Sequence, residues 1–169
     1  MVLVIFALLL LIFGLGHPSR EPVDPAKSVP LHSRIPCDGF GGPEEAVHVQ
    51  TTFSGGATAR EFVVSRYQID KCGVETMFQC WHKRPHPGWH EVWSVASGQS
   101  SASPVLPLSS CDEWGSSEPA KYILSGWYQE GTDSKPMWRQ VPVKQVSSQP
   151  EIYEFADPSG GTARIQIGL

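Results

Sequence analysis

Apolar and polar residues alternate along much of this chain with a period of two, the repeat of a β-strand. Residues 45–53 place Val47, Val49, Thr51 and Phe53 on one side and Ala46, His48, Gln50 and Thr52 on the other. Ser54-Gly55-Gly56-Ala57-Thr58 supplies a turn, and residues 61–69 alternate again, with Val63, Tyr67 and Ile69 on one side. Two such runs about a Gly-rich turn predict a hairpin. Residues 76–84 and 89–97, about Pro85-His86-Pro87-Gly88, predict a second. Residues 121–129 and 137–145 predict a third, although Pro142 removes a ladder donor and places its strand at an edge or a bulge. Residues 151–156 and 162–168, about Asp157-Pro158-Ser159-Gly160-Gly161, predict a fourth, with Ala163, Ile165 and Ile167 on one face. Residues 98–110 are rich in Ser, Gly and Pro and are expected to form a long loop. The whole predicts an all-β fold, an antiparallel β-sandwich or small barrel of about eight strands, preceded by an irregular Pro-rich arm.

The second hairpin is the densest part of the sequence. With a loop at 85–88, Arg84 faces Trp89, His82 faces Glu91 and Cys80 faces Trp93. Phe78, Cys80, His82, Trp89, Glu91 and Trp93 then share one face, and Met77, Trp81, Lys83, His90 and Val92 the other. Apolar groups on both faces predict a central hairpin covered on each side. A slip of one residue would exchange the two faces.

Three segments follow from composition. Residues 1–16 carry no charged side chain and end Gly14-Leu15-Gly16, which places small residues at the third and first positions before His17. This is the pattern of a signal peptide with a short apolar region, although the usual basic start is missing. The alternative is a retained anchor, the one circumstance in which membrane contact is expected. About 20 apolar residues span a bilayer, and this run is shorter. Residues 17–44 hold Pro18, Pro22, Pro25, Pro30, Pro36 and Pro43, which disfavour helix and central strand alike. They read as an extended arm, a spacer in preference to a strap over the domain. Residues 45–169 make a single β-rich domain, long enough to bury a real core.

Charge and cysteine content narrow the function classes. A net charge of −4 of mixed sign offers no basic surface for nucleic acid. The sequence contains no asparagine, so no N-linked sugar is carried. Cys37, Cys72, Cys80 and Cys111, downstream of an export signal, predict two disulfides and a secreted or periplasmic location. Cys72 in a turn and Cys80 well up the next strand would lie beyond the ~7 Å reach of a bridge. Cys37–Cys72 with Cys80–Cys111, and Cys37–Cys80 with Cys72–Cys111, both remain open. Each bridge would stabilise the fold by roughly 2–4 kcal/mol.

Candidate chemistry is sparse. No Gly-x-Ser-x-Gly, phosphate loop, His-Glu-x-x-His or calcium loop occurs. His82, His86 and His90 are four apart, but Pro85, Pro87 and Gly88 forbid the helix that would stack them. Cleavage after Gly16 would leave His17 at the mature terminus, where its amine and imidazole can chelate Cu(II). With His48, His82, His86 or His90 as second ligand, this resembles the copper brace of lytic polysaccharide monooxygenases, secreted β-sandwiches with disulfides. The resemblance covers only the mature terminus and the broad class; it implies copper-dependent oxidation as an alternative function. Pro18 directly after the histidine counts against it. Trp81, Trp89 and Trp114 are candidates for a binding surface, while most of the six tryptophans are expected in the core. The reading preferred here is a non-enzymatic binding or structural accessory protein, without cofactor, whose partner is a protein or a glycan.

Overall fold

The computed structural model describes residues 19–33, 47–56, 58–68, 88–98, 105–106, 108, 120–131 and 136–168. The leader, residues 76–84 of the second hairpin and all four cysteines lie outside these residues, as do His17, His82, His86, Trp81 and Trp114.

The chain is all-β. Its strands are β1 (Ser19–Arg20), β2 (Val29–Leu31), β3 (Val47–Ser54), β4 (Arg60–Gln68), β5 (Gly88–Ala96), β6 (Val105–Leu106), β7 (Tyr122–Glu130), β8 (Met137–Val141), β9 (Lys144–Ser148), β10 (Glu151–Ala156) and β11 (Thr162–Ile167). One sheet runs β1-β8-β7-β4-β5, with β2 also paired to β7; the other runs β6-β3-β11-β10-β9. Every pairing is antiparallel except β1 with β8. The sheets form a sandwich and do not close into a barrel.

The core lies where the alternating faces meet. Val47, Val49, Ala163, Ile165, Ile167, Tyr153 and Phe155 from the second sheet pack with Phe62, Val64, Val95, Tyr122 and Leu124 from the first. The opposite face of the second sheet is largely polar, with His48, Gln50, Thr52 and Arg164 exposed. Gly126 of β7 lies opposite Phe62 on the inner face, and the Phe155 ring fills the space its missing side chain leaves. Phe62 and Phe155 meet edge to face with centroids 4.9 Å apart.

Four features differ from the alternation taken alone. First, Pro142 does not sit within one strand. The chain leaves the first sheet after Val141 and joins the second as β9, so a single expected strand becomes two. A residue with no N–H is a low-cost place to abandon a ladder. Second, the expected loop at 98–110 contains β6, which pairs with β3, and Leu106 and Leu108 are wholly buried. Third, β4 pairs with β5, Val64 opposite Trp93 but Ser65 opposite Glu91. Val92 is thus an extra, bulged residue. The bulge sends Trp93 and Val95 to the core and Trp89 and Glu91 to the outer face, so Trp93 does not share the side of Trp89 and Glu91 as expected.

Fourth, residues 19–33 are a strap, not a spacer. β1 lies beside β8, and β2 takes up β7 at Leu124–Tyr122, where β8 has left off. Pro30 is tolerated because β2 pairs on one side only. Between them, Asp24 caps a short 3-10 turn at Pro25–Lys27. The Gln140 side chain ties this turn down, accepting from the Asp24 N–H (2.7 Å) and donating to the Asp24 carbonyl (3.0 Å). Glu21 accepts the Gln140 backbone N–H at 2.9 Å, the main cause of a carboxyl held below its ordinary range.

Candidate ligand-binding cleft

Strand register builds the site. Leu31 pairs with Tyr122, so continuing by one residue sets His32 opposite Lys121. The Tyr67 N–H donates to the Lys121 carbonyl at 3.0 Å, and Tyr67 pairs with Trp89. Directly opposed residues share a face. His32, Lys121, Tyr67 and Trp89 therefore form one row across β2, β7, β4 and β5. At ~4.8 Å per strand the row is ~14 Å long. Its two ends differ in chemistry. One presents an ammonium and an imidazole; the other presents two rings in edge contact, centroids 5.2 Å apart.

Three of the four, His32, Lys121 and Trp89, line a cleft of about 580 Å³ between the arm and the sheet. Pro25, Pro30 and His32 line it from the arm, Lys121, Tyr122 and Ile123 from β7 and its approach, and Trp89 from β5. Its volume is that of a small-ligand site. Lys121 and His32 are exposed, and among the described residues neither side chain has a hydrogen-bond or ion-pair partner.

A second polar group on the outer face holds the arm in place. The Arg20 guanidinium pairs with Glu61 and, at 2.7 Å, with Glu91. It also lies over the Trp127 and Trp138 rings, 5.1 and 5.7 Å from their centroids. Trp127 is completely buried, and its indole N–H donates to Ser125 Oγ at 2.8 Å. Burial raises the Glu61 carboxyl above its ordinary range, against the opposing pull of Arg20 and a hydrogen bond from Ser94. Every group here is paired, so the cluster reads as a fastening. Arg20 is partly exposed, so replacing it by alanine should cost about 1.5–3 kcal/mol, the range for losing hydrogen bonds to a charged group, in urea titrations. Arg20→Lys should recover only part of this, because a lysine lacks the planar fork and stacks less well.

Of the residues singled out in the sequence, Trp89 lies in the cleft. His90, its neighbour, points to the opposite face, in the row Leu31–Tyr122–Arg66–His90. Glu91, expected opposite His82, is engaged by Arg20. Among the described residues no three His, Cys, Asp or Glu side chains converge as a metal site would require.

Comparisons with protein-family models, characterised proteins and solved structures give no match. The cleft must therefore be interpreted from its own chemistry. His32, Lys121 and Tyr67 were not visible as a group in the sequence. The local signal was Val29-Pro30-Leu31, apolar residues at alternate positions inside the Pro-rich arm, which marks a short edge strand but not its partner.

Proposed function

We propose that this chain is an exported binding domain, an accessory or assembly subunit, that holds a ring-bearing ligand such as a sugar unit in the cleft beside its arm. The observation that carries this is Trp89, held in edge contact by Tyr67, in the lining of a cleft of about 580 Å³. Aromatic faces bind sugar rings and apolar side chains without any chemical step, and tryptophan is favoured at such sites. The walls are well supported. The Pro-rich strap is fixed by β1, β2 and the Gln140 bonds, so little ordering remains to be done on binding. The apolar leader and the cysteine content support export.

Two measurements bear on this. The mass of the protein recovered from its host should correspond to a chain lacking residues 1–16; a full-length mass would favour the tethered form. A saturation-transfer screen of mono- and disaccharides and small aromatic compounds should give ligands that shift the amides of Lys121, Tyr122 and Trp89. Trp89→Ala should weaken them roughly tenfold, about 1.4 kcal/mol, with the fold intact. Binding that is indifferent to Trp89 would rule out the cleft.

A further inference from the structure

We infer that the ligand of this cleft is an anion, a ring that carries a carboxylate; this rests on the reading of the cleft as a binding site. The argument is one of charge pairing. Four of the five described arginines are matched with carboxylates: Arg20 with Glu61 and Glu91, Arg60 with Asp157, Arg139 with Glu21 and Glu130, Arg164 with Glu154. The chain as a whole has four more acidic than basic residues, so carboxylates are in surplus. Yet among the described residues the Lys121 side chain has no partner, and no aspartate or glutamate lines the cleft. The next outward-facing row is Pro30–Ile123–Ser65–Glu91, and its one carboxylate is already held by Arg20. Lys27 and Lys144 are likewise without an ion pair among the described residues, but Lys121 alone of the three lines the cleft, with the His32 imidazole beside it.

The register fixes the shape of the ligand that would meet them. Lys121 and Trp89 are separated by two strand spacings, ~10 Å between backbones. Lys121 stands at one end of that span, Trp89 at the other and Tyr67 between them. A ring lying against Trp89 with a carboxylate directed along the row then meets the Lys121 ammonium and an N–H of His32. Charge-assisted bonds of this kind are about twice as strong as neutral ones. Pro30 and Ile123 supply the apolar wall along the ring. A uronic acid unit of a glycan and an aryl carboxylate share this chemistry.

The test is titration of the full folded chain, followed by amide shifts, with galacturonate against galactose and with benzoate against benzyl alcohol. At least one acid should bind roughly tenfold more tightly than its neutral counterpart, and the pair that shows this identifies the sugar or the aryl source. Lys121→Gln, an exposed substitution that leaves the core untouched, should remove that preference, and Trp89→Ala should weaken acid and neutral forms alike. If neutral compounds bind as well as acids and Lys121→Gln changes nothing while Trp89→Ala still weakens binding, the charge inference fails and the cleft survives. If acids bind but Trp89→Ala has no effect, the attraction is diffuse and both readings fail. Absence of binding by all four compounds also overturns the carboxylate proposal; the wider screen then decides for the cleft.

Discussion

Asp157→Ala is expected to cost about 3–5 kcal/mol, the range for breaking a buried ion pair by removing one partner. Arg60 and Asp157 are both buried at the end of the sandwich, 3.4 Å apart. Arg60 comes from β4 in the first sheet and also donates to the carbonyls of Ser54 and Gly55 in the turn between β3 and β4. Asp157 begins the turn between β10 and β11 in the second, where its Oδ1 accepts from the N–H and hydroxyl of Ser159 and from the Gly161 N–H. The pair thus joins the two sheets through three chain segments. Alanine would strand a guanidinium inside the protein and unmake the turn at the same time. Asp157→Asn should cost less, since it keeps an acceptor for the turn, and the difference between the two reports the charge. Gly161→Ala should resemble Asp157→Ala: a Cβ there would lie 1.7 Å from Arg60 Nη1 and 2.6 Å from Asp157 Oδ2. Both are side-chain ends, but burial leaves them nowhere to go.

The same pair sets an acid limit. Burial opposes ionisation of Asp157, but the Ser159 and Gly161 hydrogen bonds and the Arg60 charge outweigh it, and its carboxyl is held below the ordinary aspartate range. As pH falls from that ordinary range towards the folded-state value, the unfolded chain takes up the proton first, so stability declines. The contribution is complete above the ordinary range and lost once pH passes below the folded value. Denaturation midpoints measured down the acid limb should therefore fall less steeply in Asp157→Ala than in the parent; equal slopes would contradict this account.

Gly126→Ala is expected to cost about 3 kcal/mol, near the upper end for overpacking a core. The added methyl would stand 2.4 Å from Phe155 Cδ1, with two further ring carbons within 2.9 Å. The ring cannot withdraw easily, because its edge contact with Phe62 holds it in the centre of the sandwich. Phe155→Ala alone should cost about 3–5 kcal/mol by leaving a cavity. The double variant should cost clearly less than the sum, since the new methyl occupies part of the space the ring vacates. Strict additivity in a urea double-mutant cycle would show that the two positions do not meet.

The strands were legible wherever one face is buried and the other wet. Residues 47–54 and 162–167 alternate so regularly that inward and outward sides follow from periodicity alone, and the burial of Val49, Ile165 and Ile167 agrees. The turn at 157–161 was likewise local, written in Pro, Ser and Gly. Other features depended on partners remote in sequence. The arm offers too little alternation to identify β7 as the neighbour of β2; only the departure of β8 at Pro142 vacates that edge. The bulge at Val92 reverses the face of Trp93 relative to Trp89, and nothing in residues 89–95 distinguishes bulged from regular pairing, because each face there mixes apolar and polar residues.

The amino-acid sequence by itself determined the class of fold, the places where strands turn, and which side of the strongly alternating strands faces inward, because period-two patterning and turn chemistry act between near neighbours. Tertiary structure alone decided that the arm becomes a strap, that Arg60 and Asp157 meet, and that His32, Lys121, Tyr67 and Trp89 stand in one row. Those arrangements come from register between strands far apart in the chain, and register is fixed by the fit of whole faces rather than by any one segment.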